Sequence, residues 1–195
     1  MQVDWHITTG NHDWDDGNAT AQLAYSTISP RWTYPAFHYT IDYSLGDGTS
    51  VRVITIDTPF LTGITDKNRP PNGNPPDLEL AEKAWDWIAR TIADSDDFNY
   101  LFIASHYQTM DMRGEYNQPL MLKLVPLLKQ YKVSGYIQGH RHTIEHVQQV
   151  GFDKPEDVHI FTIGAGSLFT ANWYPLPDCN EVRNLSIFIF LYFDF

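Results

Sequence analysis

Four of the eight histidines in this 195-residue sequence stand just beyond apolar segments of strand character. Asn11-His12-Asp13 follows Val3 to Thr8, His106 follows Tyr100 to Ala104, and His140-Arg141-His142 follows Val133 to Ile137. Imidazole is a good ligand for zinc, iron and related ions. A His-x-His pair on an extended segment points both rings to one side, because side chains alternate along it. A single histidine after a strand is ordinarily a hydrogen-bonded side chain with no further duty. Three strand ends carrying the same chemistry point instead to a shared metal site, since ligands of α/β sheets bind beyond the carboxyl ends of strands. Gly10 and Gly139 precede two of the three groups, and a residue without Cβ lets the backbone come close to a ligand.

The elements that must position these residues read as an α/β alternation in a single domain, residues 1–195, with no internal repeat. A first strand is predicted over Val3 to Thr8 and a short helix from about Asn18 to Ile28, stopped by Pro30. Phe37 to Tyr43 and Val51 to Ile56 flank Gly46-Asp47-Gly48 and read as a hairpin. Thr62 to Pro76 ends in Pro70, Pro71, Pro75 and Pro76, with Pro59 just before it, and reads as a long exposed loop. From Asp77, a good helix cap, the spacing of Leu80, Ala81, Ala84, Trp85, Ile88 and Ile92 predicts an amphipathic helix. Tyr100 to Ala104 follows as a buried strand, Pro119 to Tyr131 as a second helix and Val133 to Ile137 as a second buried strand.

Composition narrows the function classes. The chain carries 24 acidic against 13 basic side chains, a net charge of −11, and the basic residues are scattered. Phosphate backbones and anionic lipid surfaces demand a basic face, so neither a nucleic acid nor a membrane is expected as a partner. Cys179 is the single cysteine, which excludes a disulfide within the chain. A chain of this length buries about two-thirds of its unfolded surface and needs no such staple. The longest apolar run, Ile187 to Phe193, is too short for a membrane-spanning helix. Asp4, His6, Thr8 and Thr9 interrupt the run that a secretory signal peptide requires, so none is read here. The sequons at Asn18 and Asn184 would make a glycoprotein only if the chain were secreted.

Gly10-Asn11-His12-Asp13, Ser105-His106-Tyr107 and Gly139-His140-Arg141-His142, in that order, resemble the last three motif blocks of the metallophosphoesterase (calcineurin-like) superfamily. Within it, Gly10 to Trp14, Asn18 to Ser26, Arg31-Trp32, Ile56-Asp57-Thr58 and Gly164-Ala165-Gly166 are similar to the tartrate-resistant, or purple, acid phosphatases. The resemblance implies a four-layer α/β/β/α sandwich that hydrolyses phosphate monoesters with a metal-bound hydroxide at a dinuclear centre. That centre pairs iron with a divalent ion, Fe, Zn or Mn. It further implies that Asn11, His106 and His140 bind the divalent metal and His142 the ferric ion. His12 would be the acid that protonates the leaving group, with Asp13 fixing its ring. A secreted or lysosomal location is implied by the same resemblance.

The family pattern opens with an Asp-containing block and a Gly-Asp block that also supplies a tyrosine, and neither precedes Val3. The sandwich is therefore expected to be truncated at its N-terminus, without the ferric ion's carboxylate, the bridging carboxylate and the tyrosinate. Asn11, His106, His140 and His142 are all neutral, and a trivalent ion among neutral ligands keeps its full charge. The chain is expected to retain mainly the divalent site, with impaired activity. Asp57 and Asp13 are the candidate substitute carboxylates. Their competing roles are to cap the turn after Val51 to Ile56 and to orient His12. After Phe169 the resemblance fades, and Ile187 to Phe193 reads either as a buried terminal strand or as the product of an altered gene end. Three function classes follow: a fragment or isoform of an active acid phosphatase, a catalytically dead remnant acting as a binding module, and a mononuclear zinc hydrolase.

Overall fold

The computed structural model describes residues 4–63, 77–110, 116–149 and 158–164. Two short strands, β1 (Trp5–His6) and β2 (Trp32–Thr33), pair in parallel as a separate two-stranded sheet and enclose the helix α1 (Thr20–Tyr25) between them in sequence. β3 (His38–Ser44) and β4 (Ser50–Ile56) form an antiparallel hairpin whose reversal places Gly48 at φ 88°, a left-handed conformation that favours glycine. Beyond β4 come α2 (Thr58–Thr62), α3 (Leu78–Ala93), β5 (Tyr100–Ala104), α4 (Gln118–Gln130), β6 (Gly135–Gln138), β7 (Ile144–Gln149) and β8 (Val158–Ile163). The main sheet has the order β3-β4-β5-β6-β8-β7. Its four inner strands are parallel and both edge strands antiparallel.

Parallel neighbours need crossover connections, and right-handed crossovers put α3 and α4 on one face of the sheet. Asp77 and Asn117 cap these helices by accepting from the Leu80 and Leu120 amides at 2.9 and 3.2 Å. Ala81, Trp85, Ile88 and Ile92 of α3, with Leu120, Leu124 and Leu128 of α4, are buried against Ile54, Ile56, Leu101, Ile103, Tyr136 and Ile160 of the strands. Full burial of each such aliphatic side chain contributes about 1.5–3 kcal/mol. The opposite face presents Val53, Phe102, Ile137 and Phe161 in neighbouring register positions, only partly buried among the described residues. A sheet apolar on both faces suits a fold that stacks a second sheet there. Among the described residues the β1–β2 pair is joined to β3 through the Tyr39 hydroxyl, which donates to the Ile7 carbonyl at 2.9 Å.

The α/β class is the one expected, and most elements fall where periodicity put them. The first strand is two residues long, not six, because β1 has a partner only in Trp32–Thr33. α1 spans Thr20–Tyr25 and gives way to turns before Pro30. Leu80, expected on the apolar stripe of α3, is 49% exposed. Thr62 belongs to the buried helix α2, which Gly63 ends in the left-handed conformation; residues 64–76 of the expected loop lie outside the described residues, as does the apolar run 187–193. β7 and β8 escaped the sequence reading. No helix among the described residues is long and apolar enough to cross a membrane.

Candidate metal centre

Asn11 opens a 3₁₀ turn, Asn11–Trp14, and is 2% exposed. The turn is closed by Asp13, whose amide donates to the Gly10 carbonyl at 3.2 Å while its carboxylate accepts from the Gly10 amide at 2.8 Å. His106 lies just past β5, where the Ser105 amide extends the ladder by donating to Ile137. Its carbonyl then accepts from the Gly139 amide at 3.0 Å, which ties the end of β5 to the loop after β6. On that loop His140 has φ 63°. A non-glycine residue in the left-handed region carries strain of order 1 kcal/mol and persists where its surroundings over-determine it.

These three strand ends converge. His106 Nε2 lies 2.6 Å from Asn11 Oδ1, His140 Nδ1 lies 3.2 Å from the same oxygen, and the two imidazole nitrogens are 3.2 Å apart. The Tyr107 ring closes one side, packing edge-on against His140 with centroids 4.8 Å apart. A zinc ion with ligands at 2.0–2.1 Å sets neighbouring donors about 3.3 Å apart in a tetrahedron, and about 2.9 Å apart in an octahedron. The two 3.2 Å edges come close to the tetrahedral value, while the 2.6 Å edge between His106 and Asn11 is a hydrogen bond that a metal would have to open by a few tenths of an ångström. Its donors, one amide oxygen and two imidazole nitrogens, are neutral, which suits a divalent ion with water completing the shell and not a lone trivalent one. Among the described residues no group of three or more His, Cys, Asp or Glu gathers to hold a metal, so the site rests on the amide oxygen and two histidines.

Two further expected site residues are exposed. His142 is exposed, two residues beyond His140. The His12 side chain is 77% exposed, next in sequence to Asn11, with its Nδ1 3.5 Å from Asp15. The structure corrects the role expected of Asp13. Its carboxylate accepts from the Gly10 amide and from the Gln22 side chain, each at 2.8 Å, because the tight turn after Gly10 directs it back along the chain. A carboxylate that does approach the His12 ring is Asp15, 3.5 Å from Nδ1. Gly10, expected to admit a ligand, instead makes room for a side chain, since a Cβ there would stand 2.9 Å from the His106 ring. Gly139 leaves ordinary contact distance, with His106 Nδ1 at 3.6 Å.

Asp57 is fully buried and caps α2, its Oδ1 accepting from the Phe60 amide at 2.9 Å. Oδ2 accepts from the Thr9 hydroxyl, from the Trp14 indole N–H at 3.1 Å and from the Tyr34 hydroxyl at 3.1 Å. Burial pushes its carboxyl up to about 6 in spite of those donors, and burial beside this carboxylate raises the Tyr34 phenol. The Asp57 amide donates to His38 Nδ1, and burial lowers that imidazole to about 4. Sequence reasoning found the cap but missed the clamps around it. Thr58 Oγ1 accepts from the Tyr107 amide at 2.8 Å. The Tyr136 hydroxyl donates to the Tyr107 carbonyl at 2.8 Å. Gln138, 1% exposed, accepts from the Thr109 amide and donates to Met110 and Thr162. A glutamine ending an otherwise apolar strand was the available signal, because a buried amide must find partners.

Comparison with known proteins bears on this geometry. Residues 1–143 match the family model described as calcineurin-like phosphoesterase. The chain is 34% identical over 150 residues to tartrate-resistant acid phosphatase type 5 of Sus scrofa, covering 75% of this chain and 43% of that protein. It is 34% identical over 153 residues to the same enzyme of Oryctolagus cuniculus, covering 76% and 46%. A solved structure titled "GAP50 the anchor in the inner membrane complex of Plasmodium" superposes with a TM-score of 0.61 at 25% identity, over 82% of this chain and 48% of that one. The chain thus spans about half the length of the proteins it matches.

Proposed function

The chain belongs to the calcineurin-like phosphoesterase family, and from that membership we propose that it serves a metal-dependent phosphatase of the tartrate-resistant, purple acid type, acting on phosphate monoesters. The observation that carries the reading is the donor triangle of Asn11, His106 and His140 at 2.6–3.2 Å. These residues would hold a divalent ion such as zinc or manganese, with His142 available at the rim for a second, iron-preferring position. A cation there would supply Lewis-acid neutralisation of the phosphoryl group's charge. Asn11 and the two imidazoles orient the site, Gly10 lets the His106 ring seat against the backbone, and His12 holds a proton where a departing alkoxide emerges. Asp15, 3.5 Å from His12 Nδ1, lies within ion-pair reach of that ring. With 24 acidic and 13 basic residues, the chain offers an anionic substrate little attraction of its own.

The triangle brings no anionic donor, which limits how tightly a cation is held and leads us to assign this chain impaired turnover. The test is hydrolysis of an aryl phosphate at acid pH by the purified chain with added zinc, manganese or iron. Slow turnover, at least tenfold below a full-length relative, that disappears with chelator and in His106→Ala supports the reading. Turnover indifferent to both treatments refutes it. A second reading, a non-catalytic binding module, draws on the likeness to the Plasmodium anchor and on the partly buried apolar sheet face. It gains if the folded chain takes up no divalent ion at all.

A further inference from the structure

Asn11 and His106 reach the donor triangle from different sheets: Asn11 follows β1 of the two-stranded sheet, while His106 follows β5 of the six-stranded one. Strand ladders therefore do not fix the 2.6 Å contact between them. We propose that Asp57 and Thr58, at the carboxyl end of β4, form a bracket that sets the spacing of Asn11 and His106, with Asp57 as a positioning residue for the Asn11 turn and Thr58 for the His106 loop.

The hydrogen bonds divide cleanly between the two residues. Asp57 Oδ2 accepts from Thr9, two residues before Asn11, and from Trp14, three residues after it, so one carboxylate grips the turn on both sides of the ligating amide. Oδ1 is anchored by the Phe60 amide, and Tyr34 adds a third donor to Oδ2. Thr58 Oγ1 accepts from the Tyr107 amide, the residue next to His106. Both residues are 0% exposed, so the bracket is shielded from water. The Thr8 hydroxyl, donating to the Ile56 carbonyl at 3.1 Å, and the Tyr39 hydroxyl, donating to Ile7 at 2.9 Å, join the sheets further from the turn. A carboxylate suits this place because every group facing it is a donor. Asparagine keeps the shape but turns an N–H₂ against donors, leaving buried groups unsatisfied. The reach toward a metal rests on the proposed function; the reach toward Asn11 and His106 does not.

The experiment uses the metal-free full chain. By NMR the wild type shows nuclear Overhauser contacts between the Asn11 side-chain amide and the His106 ring, and between the His106 and His140 rings. Asp57→Asn should lose these contacts while amide signals in α3 and α4 stay in place. Ile92→Ala, which removes a buried side chain from the end of α3 near the amino ends of the strands, should lower thermal stability and keep the contacts. Thr58→Val should speed exchange of the Tyr107 amide about tenfold, the scale of one lost hydrogen bond, and Thr58→Ser should restore it. Zinc affinity, measured on the same proteins by competition with a chelator, should fall 10–100-fold in Asp57→Asn. A folded Asp57→Asn that keeps the ring contacts overturns the bracket, as does Ile92→Ala losing them equally. If Asp57→Asn does not fold, Thr58→Ser exchanging as fast as Thr58→Val overturns it. Wild type with all the ring contacts and no zinc uptake removes the proposed function and leaves the bracket standing.

Discussion

Gly10 is where one added carbon tests the geometry most sharply. Its φ of −102° and ψ of 177° are extended angles that any residue adopts, so alanine there brings no backbone strain. The added Cβ would stand 2.9 Å from Cε1, 3.1 Å from Nδ1 and 3.3 Å from Nε2 of His106, where ordinary contact begins at 3.4 Å. The ring must retreat by about 0.5 Å at Cε1, and Tyr107 and His140, with centroids 5.1 and 5.0 Å away, limit how it tilts. Metal–ligand distances tolerate only about 0.2 Å. Gly10→Ala should therefore lower zinc affinity at least tenfold, about 1.4 kcal/mol, for an overpacking cost of about 1–3 kcal/mol in stability. Gly46→Ala, where an added Cβ meets nothing within 4 Å, is the matched control. Chelator competition reads the affinity and thermal melting the stability. Gly10→Ala binding zinc within twofold of wild type would refute the argument that His106 is held at ligand distance by that glycine.

The remaining expectations concern the rim, the loop and the buried titrating groups. In a catalytically competent protein, His12→Ala should depress turnover of alkyl phosphates about 10²-fold and spare activated aryl esters, because only poor leaving groups need its proton. Bound zinc, read by elemental analysis, should not change. Gly164→Ala would drive a Cβ into the Arg141 carbonyl oxygen. It should cost about 3 kcal/mol or more in urea denaturation and release the His140 loop. Asp57 and His38 should hide each other's pH dependence. Asp57, raised from 3.8 to about 6, makes stability fall as pH rises across that window, because the native state holds the proton longer. His38, lowered from 6.5 to about 4, makes stability rise with pH across nearly the same window, because the unfolded state binds the proton first. Each shift is worth about 3 kcal/mol, so they largely cancel. Urea denaturation of Asp57→Asn should expose the steep rise due to His38 between pH 4 and 6.5, and a profile parallel to wild type would show that the pair does not titrate as described.

What the sequence could disclose was local. A capping residue and 3.6-residue periodicity placed α3 within a residue, since Asp77 caps it and Trp85 and Ile88 face one way, and the helix expected over Pro119 to Tyr131 forms as Gln118–Gln130. Order along the chain brought Asn11, His106 and His140 under suspicion, because each follows a strand and strand ends in a parallel sheet share one edge. The same locality misled at Asp13. Beside His12 in sequence it looked like a partner for the ring, whereas a 3₁₀ turn closes more readily through the Gly10 amide three residues back. β7 gave no clean alternation, because Glu145 and His146 fall within an edge strand whose apolar partners lie across the sheet in β8.

The clamps were illegible for a different reason. Asp57, Thr58, Tyr136 and Gln138 act across 23 to 49 residues of sequence, and apart from the glutamine that ends an apolar strand, nothing in the one-dimensional pattern tells these buried polar residues from exposed ones at a strand end. Their logic appears only when donors and acceptors are counted in three dimensions. A neutral donor triangle attracts a cation weakly unless its members are already in place, because each ligand that must be ordered on binding subtracts conformational entropy from the affinity. Buried polar side chains that order the triangle beforehand let two imidazoles and an amide serve where carboxylates would otherwise supply charge. Removing the clamps and removing the ligands are therefore expected to weaken metal binding alike. Only ligand removal should leave the Asn11 turn and the His106 loop where they are, which is how the two contributions can be told apart.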